Sequence, residues 1–119
     1  MHWGSNMETI EKPWGNEELL EVNNSYVVKA LFMRKGNRCS LQYHKQKRET
    51  VVVISGTLTI NFKDTNSTWK DIVLNPGDFC TIAPGRIHRM AGVTDVVYIE
   101  TSTPELNDVV RMEDDYGRK

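Results

Sequence analysis

The chain has 119 residues and a formal net charge of −1, from 15 basic and 16 acidic side chains. This length fits one domain with a single core, and the balanced charge creates no general field to attract a polyanion or an anionic membrane. No apolar stretch approaches the ~20 residues needed to cross a bilayer, and residues 1–16 lack the pattern of a secretory signal. We therefore expect neither a nucleic-acid nor a membrane partner, and a cytoplasmic location.

Residues 1–6 read MHWGSN and resemble an expression remnant, so we expect the natural chain and its single domain to span residues 7–119. His2 is then no candidate ligand. The two cysteines, Cys39 and Cys80, are far apart and outside any CxxC spacing. This arrangement predicts free thiols rather than a disulfide framework or a sulfur-ligated metal site.

From Tyr26 onward, short runs rich in β-branched and aromatic residues alternate with Gly, Pro, Asn and Asp about every ten residues. The run Val51–Ile54 is continuously apolar, which predicts a strand covered on both faces, and Ser55-Gly56 then predicts a turn or bulge. In residues 57–62, apolar and polar residues alternate with period two, which is typical of a strand with one face on the core. The polar loop 63–67 leads to a further strand over residues 69–74.

Asn75-Pro76-Gly77-Asp78 has the proline and glycine that a type II turn requires. Strands are predicted to follow over residues 79–83 and 96–101, with a turn at Pro84-Gly85 between them. Only residues 104–109 allow a short helical turn. The whole pattern predicts an all-β sandwich or barrel.

Four side chains form a candidate metal site. Gln42 and His44 share one strand face if that strand has period two, and the polar residues 45–48 can turn the chain so that Glu49 returns to them. His88 follows the turn at Pro84-Gly85, which could bring it to the same place. Two imidazoles, a carboxylate and an amide oxygen suit one divalent ion, foremost zinc, with manganese, cobalt, iron or nickel as alternatives. Gln42 could instead hydrogen-bond to the backbone or orient His44.

These residues resemble a motif of the cupin superfamily. Its first motif runs HxH, four residues, Glu, six residues, Gly, and residues 42–56 reproduce this spacing with Gln42 in place of the first histidine. The segment from Gly77 to His88 resembles the second motif. The resemblance implies a cupin fold, a jelly-roll barrel also described as a double-stranded β-helix.

A closer resemblance covers most of the chain and points to the C-terminal cupin domain of type II mannose-6-phosphate isomerases. Six segments carry it: KPWG (12–15), YVVK (26–29), SLQYH (40–44), IHRM (87–90), YIE (98–100) and VVRMEDDYGR (109–118). In that family the cupin is fused to a mannose-1-phosphate guanylyltransferase domain. The resemblance implies Gln42 as a metal ligand, a homodimer, and aldose–ketose interconversion of a sugar phosphate such as mannose-6-phosphate.

Further site residues follow from the matching segments. Catalytic roles are expected for Lys29, Glu100 and Arg111, with Glu100 or Lys29 in proton transfer, and Lys12 is a further candidate. The cations that could anchor a substrate phosphate are Lys47, Arg111 and Arg118.

Two departures from the family bear on activity. The family continues its first motif as HHHRAEHW, whereas this chain reads HKQKRETV, so Lys47 replaces an arginine and Thr50 a histidine. Lysine keeps the charge but loses the planar fork, and threonine cannot act as an imidazole base. Two alternatives to an isomerase therefore stay open: a non-catalytic metal cupin that binds a sugar phosphate or nucleotide sugar, and a small iron-dependent oxygenase-type cupin.

Overall fold

A computed structural model describes residues 8–119, which form eleven β-strands in two antiparallel sheets and contain no helix. The strands are β1 (Thr9–Lys12), β2 (Gly15–Val22), β3 (Val27–Met33), β4 (Leu41–Tyr43), β5 (Glu49–Ser55), β6 (Leu58–Lys63), β7 (Trp69–Leu74), β8 (Phe79–Ile82), β9 (Ile87–Gly92), β10 (Val96–Ser102) and β11 (Val110–Glu113). The predicted all-β class is confirmed. The expectations for residues 1–6 and for His2 lie outside the described residues.

The two sheets enclose one core. Strand order is β1-β2-β3-β10-β5-β8 in the six-stranded sheet and β11-β4-β9-β6-β7 in the five-stranded sheet. Buried apolar side chains from both sheets meet in a single cluster that includes Leu31, Val51, Ile60, Phe62 and Tyr98. Within the described part of the chain, nothing qualifies as a helix long and apolar enough to span a membrane.

The predicted strands are present, and one detail differs. Strand β6 alternates as expected, with Leu58, Ile60 and Phe62 fully buried. Strand β5 was expected to be covered on both faces, but it also alternates, and the side chain of Ile54 is 55% exposed. That expectation is wrong because β-branched residues suit a pleated strand whether or not both of its faces are buried.

Two glycines close tight turns as predicted. Gly77 has φ +89° in the turn between β7 and β8, where the Asp78 amide donates to the Asn75 carbonyl. Gly56 has φ +80° after β5, and a Cβ built there would lie 2.0 Å from the Asp95 carbonyl oxygen. Only glycine avoids both the strained φ and this clash.

Along the strands of the barrel, the inward-facing side chains change from ionisable to apolar. Strand β5 presents Glu49, then Val51 and Val53, and its neighbour β10 presents Glu100, then Tyr98. Strand β9 presents His88 and then Met90 to the same interior. One end of the barrel therefore carries ionisable groups and the rest is apolar.

Candidate metal centre

The predicted ligands come from three strands of the polar end. Gln42 lies on β4, directly opposite His88 on β9, and His44 follows one residue after β4 ends. Residues 45–48 form the expected loop, and Glu49 is the first residue of β5. The structure thus brings His88 to the first motif across 44 residues of chain, as the turn at Pro84-Gly85 suggested.

Three of these side chains form one compact buried cluster. His44 Nε2 lies 3.4 Å and His88 Nε2 lies 3.2 Å from the same oxygen, Glu49 Oε1. One donor atom from each residue falls within 4.8 Å of the others, and all three side chains are buried. Gln42 lines the adjoining cavity, and its Oε1 accepts a hydrogen bond from Ser40 Oγ at 2.6 Å. Its role as a fourth ligand stays a prediction.

Backbone carbonyls fix the orientation of both imidazoles. His44 Nδ1 contacts the Asp108 carbonyl oxygen, and His88 Nδ1 lies 2.8 Å from the Arg86 carbonyl oxygen. Since a carbonyl can only accept, each Nδ1–H donates the hydrogen bond, so the lone pair of a neutral ring lies on Nε2. Both Nε2 atoms are buried and have no hydrogen-bond partner among residues 8–119.

Lys47 is buried between two carboxylates. Its Nζ lies 3.4 Å from Glu49 Oε2 and 3.4 Å from Glu100 Oε1. Burial opposes the charge on Lys47, but Glu100 and Glu49 outweigh it and raise the lysine pKa. Burial likewise opposes the charge on Glu49, yet the contact with Glu100 and the positive charge of Lys47 keep its pKa below the ordinary value. Burial and then repulsion by Glu49 raise the pKa of Glu100.

A cavity of about 260 Å³ adjoins the cluster and is lined by every residue predicted to act on a substrate. Lys29 and Glu100 face each other on neighbouring strands β3 and β10. Lys29 Nζ lies 3.4 Å from Glu17 Oε2, and Lys12 Nζ lies 3.6 Å from Glu17 Oε1. One buried carboxylate on β2 therefore pairs with both lysines.

The two arginines at the cavity differ in how they are engaged. Arg118 donates from Nε and Nη2 to the Asp114 carboxylate, at 3.0 and 2.9 Å. Arg111 donates from Nη1 to the Lys119 carbonyl, and its Nε is buried without a partner among residues 8–119. Of the three predicted phosphate anchors, Lys47 and Arg118 are thus paired with carboxylates, while Arg111 contacts the main-chain oxygen of Lys119.

The threonine that replaces a family histidine does not face the cavity. Thr50 lies between the inward-facing Glu49 and Val51, so the alternation of β5 turns it outward, where its Oγ1 contacts Thr81 Oγ1 at 2.9 Å. Because side chains alternate along a strand, this departure removes no group from the interior.

Three residues of this region were missed by the sequence reading. Glu17 pairs with the two lysines, and Asp108 contacts His44 and the loop after it. The buried guanidinium of Arg89 donates from Nε to the Cys39 carbonyl at 2.8 Å. The sequence carries no local signal for them, because each partner lies 5 to 64 residues away.

The donor set fits a divalent metal ion. Two imidazole nitrogens and one carboxylate oxygen converge, and both nitrogens are buried without a hydrogen-bond partner among residues 8–119. A buried polar atom left unpaired costs free energy, which coordination would offset. Nitrogen and oxygen donors in this mixture suit borderline divalent ions.

Two facing antiparallel sheets with a buried His/Glu/His cluster define this protein as a cupin. Solved structures agree. The capsular polysaccharide assembling protein CapF from Staphylococcus aureus matches with a TM-score of 0.80 at 18% identity, covering 93% of this chain and 33% of that one. Oxalate decarboxylase from Bacillus subtilis matches with a TM-score of 0.79 at 14% identity, covering 91% of this chain and 30% of that one.

Within the cupins, the chain belongs to the family described as mannose-6-phosphate isomerase C-terminal, whose sequence model matches residues 3–114. The alginate biosynthesis protein AlgA of Pseudomonas aeruginosa is 29% identical over 114 residues. Mannose-1-phosphate guanylyltransferase ManC of Salmonella typhimurium is 31% identical over 114 residues. In both cases the match covers 92% of this chain but only 23% of the relative. The predicted family is confirmed.

Proposed function

We propose that this chain is a metal-dependent sugar-phosphate isomerase that interconverts mannose-6-phosphate and fructose-6-phosphate, or a related pair. The observation that carries the proposal is the buried cluster of His44, Glu49 and His88 at a cavity that also holds Lys29 and Glu100. Membership of the family supports the same substrate class. The names of the relatives place them in alginate synthesis and mannose-1-phosphate guanylyl transfer, which supports a role of this chain in polysaccharide biosynthesis.

The proposed metal ligands are His44, Glu49 and His88, with Gln42 as the fourth. A bound divalent ion would polarise a substrate carbonyl and stabilise the negative charge that develops when a proton leaves the adjacent carbon. Zinc is the first candidate. A solved structure of the oxalate decarboxylase neighbour is described as containing Mn(II) centres, so manganese is tested beside zinc, cobalt, iron and nickel.

The remaining steps belong to side chains of the cavity. Isomerisation moves a proton between neighbouring carbons, which requires a group that can accept and return it. Glu100 and Lys29 line the cavity opposite each other, so the proposal assigns this transfer to the Glu100 carboxylate or to Lys29 Nζ. The proposal places the substrate phosphate at the guanidinium of Arg111, with Arg118 beside it at the cavity.

The test begins with metal analysis of the purified protein, followed by a coupled assay of fructose-6-phosphate formation. His88→Ala is expected to remove most bound metal and the turnover with it, because a buried ligand is lost. Met90→Ala is the matched control, since Met90 is buried on the same strand and inward face. It should lower stability by about 2–5 kcal/mol and leave the metal bound.

Two results would contradict the proposal in different ways. Unchanged metal loading in His88→Ala would remove His88 from the site. A fully loaded protein without turnover would favour a second candidate, a non-catalytic domain that binds a sugar phosphate or nucleotide sugar. That candidate is favoured by the contacts of the two proton-transfer candidates, because Lys29 Nζ lies 3.4 Å from Glu17 Oε2 and Glu100 Oε1 lies 3.4 Å from Lys47 Nζ. Both groups are thus already engaged within the protein. Bound iron with oxygen consumption would instead support the oxygenase alternative.

We also propose that the chain forms a homodimer through the outer face of its six-stranded sheet. The register aligns Phe79, Val52, Ile99 and Ala30 across four neighbouring strands, and Phe79 is 72% exposed. The row is exposed at Phe79 and partly exposed at the other three residues, and contiguous apolar surface of this kind marks protein interfaces. Phe79→Glu should shift sedimentation from dimer to monomer without changing metal content. A wild-type chain that sediments as a monomer would contradict this proposal.

A further inference from the structure

Asp108 connects two parts of the chain at the metal centre. It lies in the segment between β10 and β11, 64 residues beyond His44, and its backbone carbonyl accepts a hydrogen bond from His44 Nδ1. Its carboxylate accepts backbone N–H groups of Lys45 at 3.0 Å, Gln46 at 2.6 Å and Lys47 at 2.9 Å. One residue thus contacts four consecutive residues, 44–47, which we call the ligand loop.

The ligand loop sets the geometry of the cluster at two points. It begins with His44, whose ring must present Nε2 to the interior. It also carries Lys47, whose Nζ lies 3.4 Å from Glu49 Oε2, while Glu49 Oε1 faces both imidazoles. Lys47 therefore occupies one carboxylate oxygen and leaves the other for the metal side. A shift of the loop would displace an imidazole and this lysine together.

The hydrogen bonds that the Asp108 carboxylate accepts are charge-assisted and therefore strong. Hydrogen bonds to an ionised carboxylate are roughly twice as strong as neutral ones, and three backbone donors converge on this carboxylate. The carbonyl bond to Nδ1 is the type of contact that orients a ligating histidine and selects its tautomer. The side chain and main chain of one residue act on the same loop.

We propose that Asp108 is a positioning residue for the metal centre, whose carboxylate holds the ligand loop so that His44 and Lys47 reach Glu49 in the geometry that binds a divalent ion. This inference rests on the proposed metal site, and it assigns Asp108 no contact with metal or substrate. Replacing Asp108 lowers metal affinity, because the loop and the carbonyl that orients His44 both lose their anchor.

The test measures Zn²⁺ and Co²⁺ dissociation constants by competition with a chelator, for the full chain and its variants at one pH. Asp108→Ala keeps the carbonyl that contacts His44 but removes the carboxylate that holds the ligand loop. It is expected to weaken binding by about 10-fold, the lower end of the effect of losing outer contacts of a metal ligand. It should also change the visible absorption spectrum of the Co²⁺ form, since a displaced imidazole alters the ligand field. Asp108→Asn keeps an acceptor oxygen of the same size and should recover much of the affinity.

Asp78→Ala is the matched control. The Asp78 carboxylate also accepts a backbone N–H, that of Asn75 at 2.9 Å, but in the turn that precedes β8. Along β8 this turn is remote from Ile82, the residue paired with Glu49. Asp78→Ala should lower the melting temperature and leave the metal dissociation constants within about twofold.

The outcomes separate the two proposals. Wild-type affinity and an unchanged Co²⁺ spectrum in Asp108→Ala would overturn the role of Asp108 and leave the metal site intact. Equal losses in Asp108→Ala and Asp78→Ala would also overturn it, because general destabilisation would then account for both. Failure of the wild-type chain to bind either ion would overturn the proposed metal site itself. If Asp108→Ala does not fold, Asp108→Asn and Asp108→Glu provide the comparison.

Discussion

The polar end and the apolar end of the barrel are built from the same strands. The polar end consists of Lys29, Gln42, Glu49, His88 and Glu100, and the apolar end of Met33, Val53, Leu58, Leu74 and Val96. On β3 the inward positions run from Lys29 through Leu31 to Met33, and on β10 from Glu100 through Tyr98 to Val96. A shift of four residues along one strand therefore replaces an ionisable side chain by a fully buried apolar one.

The apolar end stabilises the barrel, whereas the polar end carries the groups that could bind a ligand. The apolar end gains free energy from removing surface from water, at about 25 cal/mol per Å². The polar end buries ionisable groups, whose desolvation cost is recovered only through close pairing. Lys47, Glu49 and Glu100 meet this condition among themselves. The two imidazole Nε2 atoms, by contrast, have no hydrogen-bond partner in the described part of the chain. The unpaired buried nitrogen atoms therefore lie at the cluster, and we expect a ligand to bind there.

The largest expected effect on stability comes from breaking the pairing at the polar end. Lys47→Met should lower the free energy of unfolding of the metal-free protein by about 3–5 kcal/mol, because two buried carboxylates lose their cation. Chemical denaturation measures it. Lys47→Arg keeps the charge and should lose less, and Lys70→Met, on an exposed lysine of β7, should change stability by less than about 0.5 kcal/mol. Equal stability of Lys47→Met and wild type would show that this pairing contributes nothing.

A change at the apolar end should affect stability alone. Leu58 is fully buried, so Leu58→Ala should lower the free energy of unfolding by about 3 kcal/mol through lost burial and the cavity left behind. Metal dissociation constants should stay within about twofold of wild type. A tenfold weaker metal affinity in this variant would show that the two ends are energetically coupled. It would contradict the expectation that the apolar end affects stability alone.

The smallest effect is expected at the edge of the cavity. The Asp114 carboxylate accepts two hydrogen bonds from the Arg118 side chain, and these bonds lower the pKa of Asp114. A lowered folded-state pKa stabilises the fold above the unfolded pKa of about 3.9, and this contribution is lost as pH falls through the folded value. Asp114→Asn should cost about 0.5–1 kcal/mol at pH 7.

Thermal melts at several pH values test this prediction. The difference between wild type and Asp114→Asn should shrink as pH falls below the unfolded pKa and should be absent when Asp114 is protonated in both states. A difference that stays constant from neutral to acid pH would assign the effect to the amide substitution and not to the charge.

Much of the fold follows from local sequence. The alternation in β6 could be predicted because successive side chains of a strand point to opposite faces. The Pro-Gly turn before β8 could be predicted because positive φ favours glycine. The convergence of His44, Glu49 and His88 could be expected from motif spacing. The exposure of Ile54 could not, since the residue type that suits a strand is the same on a covered and an uncovered face.

The contacts that support the site could not be predicted from the sequence, for a different reason. Lys47 meets Glu100 across 53 residues, and His44 meets the Asp108 carbonyl across 64. Such contacts depend on which strands become neighbours, and no local pattern reports that. Lys47 is predicted to bind a substrate phosphate, and the structure places its ammonium 3.4 Å from each of two buried carboxylates. Its contact with a phosphate stays a prediction.

The reaction rates of the two cysteine thiols can report how often the two sheets of the barrel separate. Cys39 is buried in the core and its carbonyl is held by Arg89, and burial raises the pKa of its thiol to about 11, whereas Cys80 is half-buried on the edge strand β8. Thiolate formation and access both control the reactions of a thiol. A disulfide-exchange reagent should therefore modify Cys80 faster than Cys39, whose access to the reagent increases when the sheets separate. The ratio of the two rates would then report, without any introduced label, whether metal loading slows that separation.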